Sequence, residues 1–173
     1  MSWPVTWTSG SPQETRTLAG RVAALCRPGD VVLLVGDLGA GKTVFAQGFA
    51  AALGVPGPVT SPTFALVRQY RCGEDSAIGL LIHADVYRTG SLDEVADLAL
   101  AELVEEDAVA VVEWGDRAAL AFDESALVVT LVAPDPVGAP TARAVEIVGR
   151  GTWTARADEV AGALERVPGR EAP

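Results

Sequence analysis

Asp30 to Val35 carries five aliphatic residues in a row, three of them β-branched, with no polar alternation. Such a short unbroken run suits a strand buried on both faces of a parallel sheet. Ala108 to Val112 has the same character and ends at Glu113-Trp114. Other apolar residues recur with helical spacing. Ser11-Pro12-Gln13-Glu14 supplies an N-cap, a first-turn proline and a glutamate at the third helical position. Leu18, Val22 and Leu25 then follow at intervals of four and three. Phe45, Phe49, Ala52 and Leu53 share another helical face, with Gly54 placed to end that helix. Ser91 and Glu94 form a second capping box ahead of Leu92, Val95, Ala99 and Leu103.

The remaining pattern is strand-like. Thr63 to Arg71 and Ile78 to Asp85 flank a turn at Cys72-Gly73-Glu74-Asp75-Ser76, which predicts an antiparallel hairpin. Val5 to Thr8 reads as a short edge strand, and Gly54 to Pro62 as a loop. Leu127–Val132 and Ala142–Val148 suit a late antiparallel pair turning at Pro134–Gly138. Trp153 to Val167 suits a final helix, with a frayed tail to Pro173. The expected class is α/β, with a mixed central sheet, an antiparallel hairpin and flanking helices. One domain of 173 residues is expected, its core at about 10–135 and the segment 126–167 packed on it.

Between the first buried strand and the second helix lies Gly36-Asp37-Leu38-Gly39-Ala40-Gly41-Lys42-Thr43. It matches the phosphate-binding pattern G-x-x-x-x-G-K-[ST] at every fixed position. Glycines keep side chains from between backbone N–H groups and phosphate oxygens. The following helix offers unpaired N–H groups to the same anion. Lysine adds a mobile point charge, and the threonine hydroxyl suits Mg²⁺. Lys42 is also the only lysine of the chain.

The formal net charge is −10, which argues against a protein that holds nucleic acid alone. Acidic residues cluster from Asp93 to Asp107, as a solvated helix face or as a docking surface for a basic partner. No apolar run is long enough to span a bilayer, and Met1 to Thr15 lacks the pattern of a secretory signal. Cys26 and Cys72 lack metal spacing and are expected to be reduced. A cytoplasmic protein is expected.

Phosphoryl chemistry with Mg²⁺ calls for carboxylates at strand ends facing the loop. Asp85, within His83-Ala84-Asp85-Val86-Tyr87-Arg88, and Glu113 are the candidates. His83, the only histidine, reads best as a half-buried strand residue with a satisfied hydrogen bond. Trp114 is expected to pack over the site. Arg88 suits either a phosphate or the surface. Trp7 to Ser11 is a candidate approach to the nucleobase.

With these residues assembled, the chain resembles the TsaE (YjeE) family, P-loop ATPases of bacterial tRNA threonylcarbamoyladenosine synthesis. The likeness rests on GDLGAGKT at 36–43, SPTF at 61–64, HADVYR at 83–88 and VEW at 112–114, and covers roughly residues 10 to 135. It implies a P-loop NTPase fold using ATP and Mg²⁺. Lys42 and the loop from Asp37 through Leu38, Gly39, Ala40 and Gly41 to Thr43 would bind the phosphates. Thr43 and Glu113 would hold Mg²⁺, and Asp85 would act near the γ-phosphate, with Lys42 and Glu113 also catalytic. Thr63 would lie in a nucleotide-sensing segment. The implied partners are TsaB and TsaD, the subunits that transfer threonylcarbamoyl to tRNA, so tRNA is met only indirectly. Two departures stand out. Val44 replaces a frequent second threonine, and the family's H-F-D-L-Y-R is here His-Ala-Asp-Val-Tyr-Arg.

Two other classes fit a phosphate loop. A small-molecule or nucleotide kinase needs arginines brought over the transferred phosphoryl by a lid, and none is evident. A GTPase of the N-K-x-D type needs a second lysine, which the chain lacks.

Overall fold

The computed structural model describes residues 3–62, 66–87, 104, 107–118, 125–133 and 142–165. Seven strands form one sheet. They are β1 (Val5–Ser9), β2 (Val31–Val35), β3 (Val67–Arg71), β4 (Leu80–Asp85), β5 (Ala108–Glu113), β6 (Leu127–Val132) and β7 (Arg143–Gly149). The spatial order is β1-β7-β6-β2-β5-β4-β3. β2 pairs in parallel with β5 and β6, and β5 in parallel with β4. β3 runs antiparallel to β4 at one edge, as the hairpin pattern predicts. β1 runs antiparallel to β7 at the other. The sheet is therefore mixed, with its parallel strands in the middle.

The late pair differs from expectation in its place. β6 and β7 are antiparallel to each other, but they join the central sheet beside β2 rather than packing upon it. Leu127, Val129 and Leu131 are fully buried and alternate with more exposed residues, so one face of β6 packs against the core.

The longer helices are α1 (Pro12–Ala23), α2 (Lys42–Ala52) and α3 (Ala157–Glu165), and Gly115–Ala118 adds a single helical turn after β5. Ser11 caps α1, its hydroxyl accepting from the Glu14 N–H at 3.2 Å. The Glu14 carboxylate reaches back to the Gly10 N–H at 2.9 Å. Leu25 lies beyond the end of α1 and is half-buried. In α2 the buried face is Phe45, Ala46, Phe49 and Ala50, whereas Ala52 is exposed. Gly54 follows with a φ of 72°, the conformation expected of a helix-ending glycine. The final helix starts later than its apolar pattern predicts. Gly151–Arg156 forms a 3₁₀ helix first, which buries Trp153.

β2 separates two cores. Val32 and Leu34 face one shared with Phe45, Phe49 and Trp153, and Val31 and Leu33 face another with Ile82 and Val112. Alternate residues of a strand point to opposite faces, so an unbroken apolar run serves both. Arg156 ties α3 to the start of β2. Its guanidinium donates to Asp30 at 3.0 Å, to Glu159 at 3.2 Å and to the Leu25 carbonyl, and stacks 3.7 Å from the Trp153 ring.

Among the described residues no helix is long and apolar enough to cross a membrane. Cys26 and Cys72 are free thiols. The helix expected after Ser91, the turn at 134–138, Thr63 and Arg88 lie outside the described residues.

Candidate functional site

Parallel strands gather the predicted chemistry at one end of the sheet. β2 runs directly into the glycine loop and α2. Asp85 and Glu113, the last residues of β4 and β5, stand opposite each other in register, and Leu34 of β2 pairs with Glu113. A cleft of about 470 Å³ opens there. Lys42, Thr43, Asp85 and Glu113 all line it, together with Gly39, Gly41, Leu38, Ser61, Tyr87 and Trp114.

Two glycines are required by the loop's shape. Gly36 has a φ of 146°, and a Cβ there would meet the Leu131 carbonyl oxygen at 2.3 Å. Gly41, with a φ of 108°, is the residue before α2, and no side chain caps that helix. The first N–H groups of α2 are thus left to an anion. Within the loop the Ala40 N–H donates to the Asp37 carbonyl at 3.1 Å. Asp37 and Leu38 are exposed, and Ala40 is buried.

Lys42 folds back on this loop. Its Nζ donates to the carbonyls of Gly36 at 2.6 Å and Asp37 at 2.9 Å, and lies 3.7 Å from the centre of the Trp114 ring. Burial lowers the Lys42 pKa from the ordinary 10.5, and the carboxylates of Glu113, Asp85, Asp116 and Asp37 partly oppose that effect. Trp114 does pack over the site. It adopts a φ of 62°, rare for a residue with a side chain, and its ring lies 4.6 Å from that of Tyr87.

The carboxylates are held firmly. The Thr43 hydroxyl donates to Glu113 Oε2 at 2.8 Å. Glu113 Oε1 lies 2.9 Å from His83 Nε2. Asp85 Oδ2 accepts from the Ser61 hydroxyl at 2.6 Å, and Oδ1 from the Tyr87 N–H at 3.0 Å. His83 differs from the expected half-buried residue. It is fully buried, and its Nδ1 has no hydrogen-bond partner among the described residues. A carboxylate needs a donor, which places a proton of His83 on Nε2.

Sequence reasoning did not foresee the contacts of three residues at the site. Ser61 sits in the SPTF run, yet its hold on Asp85 needs a contact across 24 residues. His83 precedes Asp85 by two in β4, so strand alternation already puts both side chains on one face, near Glu113. Arg143 lies where no motif is recognisable. It donates from Nε to the Ala40 carbonyl at 2.8 Å and from a terminal nitrogen to that of Gly39 at 3.2 Å. Trp7, in contrast, is buried in the core, and the segment Trp7–Ser11 does not line the cleft.

The donor set fits Mg²⁺ with a nucleotide. A hydroxyl and carboxylates are hard oxygen ligands. Two carboxylates and one lysine would repel a polyphosphate unless a divalent cation came with it. Among the described residues no three His, Cys, Asp or Glu side chains form a self-sufficient metal cluster.

The molecule is thus a mixed α/β protein with a phosphate-loop sequence opening into an acidic cleft. The chain belongs to the family described as threonylcarbamoyl adenosine biosynthesis protein TsaE, whose model matches residues 9–137. It is 41% identical over 144 residues to a tRNA threonylcarbamoyladenosine biosynthesis protein TsaE of Streptomyces coelicolor, covering 83% of this chain and 95% of that protein. A Bacillus subtilis protein of the same name is 45% identical over 108 residues, 62% of this chain and 65% of its own length. The match thus spans about two thirds of the Bacillus relative and nearly all of the Streptomyces one. The crystal structure of Bacillus subtilis YdiB superposes with a TM-score of 0.69 at 30% identity, covering 96% of this chain and 97% of that one.

Proposed function

We propose that this chain is a Mg²⁺-dependent ATPase of the P-loop class, working in the cytoplasm for tRNA threonylcarbamoyladenosine modification. One observation carries the reading: the Thr43 hydroxyl and the Glu113 carboxylate meet at 2.8 Å beside Lys42, at the mouth of the glycine loop. That is the pairing a Mg²⁺–phosphate complex requires of a threonine and a strand-end acid. The family names support the pathway.

In this reading the loop amides and the α2 N-terminus bind the β- and γ-phosphates. Lys42 leaves the carbonyls of Gly36 and Asp37 and turns to the phosphates. Thr43 and Glu113 hold Mg²⁺, which would neutralise the charge that develops on the transferred phosphoryl. Asp85, oriented by Ser61 and the Tyr87 N–H, accepts a hydrogen bond from the attacking water beside the γ-phosphate. Thr63, two residues after Ser61, belongs to the segment that senses which nucleotide is bound. None of the described residues lining the cleft is an arginine, so the kinase alternative gains no support.

The chain's partners in this proposal are the TsaB–TsaD subunits, with tRNA met through them. The test is threonylcarbamoyl transfer to tRNA by those subunits, with and without this chain and ATP. Multiple turnovers only when both are present support the proposal. Turnover unchanged by the chain overturns it.

A further inference from the structure

Arg143 is the first residue of β7 and lies beyond the family match, which ends at residue 137. We infer that Arg143 is a positioning residue for the phosphate loop: its guanidinium clamps the carbonyls of Gly39 and Ala40, which fixes the turn and aims the Gly41 N–H into the cleft. The inference rests on the nucleotide-binding reading of that loop.

Topology brings the side chain there. β7 runs antiparallel to β6, and β6 runs parallel to β2. The start of β7 therefore lies at the end of the sheet where β2 becomes the loop. Gly36 packs against the Leu131 carbonyl of β6 at the root of the loop, while Arg143 reaches its tip.

Three donors are fixed at once. Nε bonds the Ala40 carbonyl at 2.8 Å, one terminal nitrogen the Gly39 carbonyl at 3.2 Å, and the other the Ala142 carbonyl, just before β7, at 2.7 Å. The planar guanidinium thereby links strand to loop as a rigid fork. In a trans peptide, C=O and N–H point in opposite directions. Pinning the Ala40 oxygen therefore aims the Gly41 N–H away from Arg143. Pinning the Gly39 oxygen does the same for the Ala40 N–H, already committed to the turn with Asp37. A cation on the carbonyl side also polarises the peptide, which strengthens the N–H as a donor to phosphate. Charge-assisted hydrogen bonds of this kind are the strong ones. A loop rich in glycine has the most conformational freedom to lose, so such a clamp matters more here than on an ordinary turn.

The test measures ATP and ADP affinity of the full chain by calorimetry, with Mg²⁺ and with EDTA, for Arg143→Met and Arg143→Lys. Backbone amide NMR spectra of the ligand-free proteins accompany it. Arg143→Met is expected to lose about tenfold in affinity for both nucleotides in both buffers, the size of losing one charge-assisted hydrogen bond. Amide shifts confined to Gly39 through Thr43 are expected in that variant. Arg143→Lys, which keeps a donor within reach of the loop, should recover part of the loss. Parental affinity in Arg143→Met overturns the inference. A loss seen only with Mg²⁺, or amide changes spread over the whole sheet, also overturns it. Lys42→Ala, run in parallel, separates the two claims: if it retains full ATP affinity, the nucleotide reading fails whatever Arg143 does.

Discussion

The Thr43 hydroxyl and the Glu113 carboxylate, 70 residues apart in the chain, are joined at 2.8 Å. Glu113 is almost wholly buried, and its other oxygen is held by His83. The arrangement keeps the two proposed Mg²⁺ ligands side by side. Preorganised ligands of this kind lower the reorganisation that Mg²⁺ binding would demand.

Replacing either ligand should therefore affect nucleotide binding through the metal. Glu113→Gln and Thr43→Ala are each expected to weaken MgATP binding by at least about tenfold. ATP binding in EDTA should change little. Calorimetric titrations in the two buffers check this, and equal losses in both would contradict the metal role.

His83 contacts Glu113, so in the proposed function it acts through that carboxylate rather than on the nucleotide. His83→Phe is expected to weaken Mg²⁺-dependent ATP binding by about tenfold, a usual effect of losing the partner of a metal ligand. His83→Gln, whose amide can reach Glu113, should restore much of it. A loss that is the same with and without Mg²⁺ would mean that His83 only supports the fold.

The lowered pKa of Lys42 has a measurable consequence. Free protein releases this proton below the ordinary lysine value of 10.5, because burial disfavours the ammonium. A phosphate beside Nζ favours the charged form and raises the pKa again. ATP binding just below pH 10.5 should therefore take up a proton, and affinity should fall as pH rises through the free protein's pKa. The same depression makes stability rise with pH through that window, since the unfolded chain holds the proton more tightly. Calorimetry in buffers of different ionisation enthalpy detects the uptake, and Lys42→Met should abolish it. An uptake that persists in Lys42→Met would assign the proton to another group.

Arg156 tests the architecture apart from the cleft. Arg156→Met leaves Asp30, which is 11% exposed, without its guanidinium partner, and also removes the bond to Leu25. Breaking a buried pair from one side costs about 3 kcal/mol. Urea unfolding should show that loss, with nucleotide affinity preserved because α3 is remote from the cleft lining.

Much of this was legible in the chain itself. The runs at 31–35 and 108–113 show parallel strands because burial on both faces removes polar alternation. The loop is legible as a motif and Asp85 and Glu113 from strand-end logic; both carboxylates and the loop residues Leu38, Gly39, Gly41, Lys42 and Thr43 line the same cleft. The place of β6 was not legible. Its apolar pattern suits a buried strand anywhere, and nothing local says that it sits beside β2. The 3₁₀ turn at Gly151–Arg156 was hidden because a tryptophan at helical spacing satisfies either helix. Arg143 gave no signal, since its role depends on contacts more than 100 residues away. Pattern reports burial and local geometry; it does not report which distant backbone a side chain will bind.

Phosphate release from ATP, measured on the purified chain with the TsaB–TsaD subunits, in Mg²⁺ and in EDTA, tests the central claim most directly. The account predicts release that needs Mg²⁺ and is lost in Lys42→Ala and Asp85→Asn. No release under any of these conditions, or release that Lys42→Ala leaves intact, would contradict it.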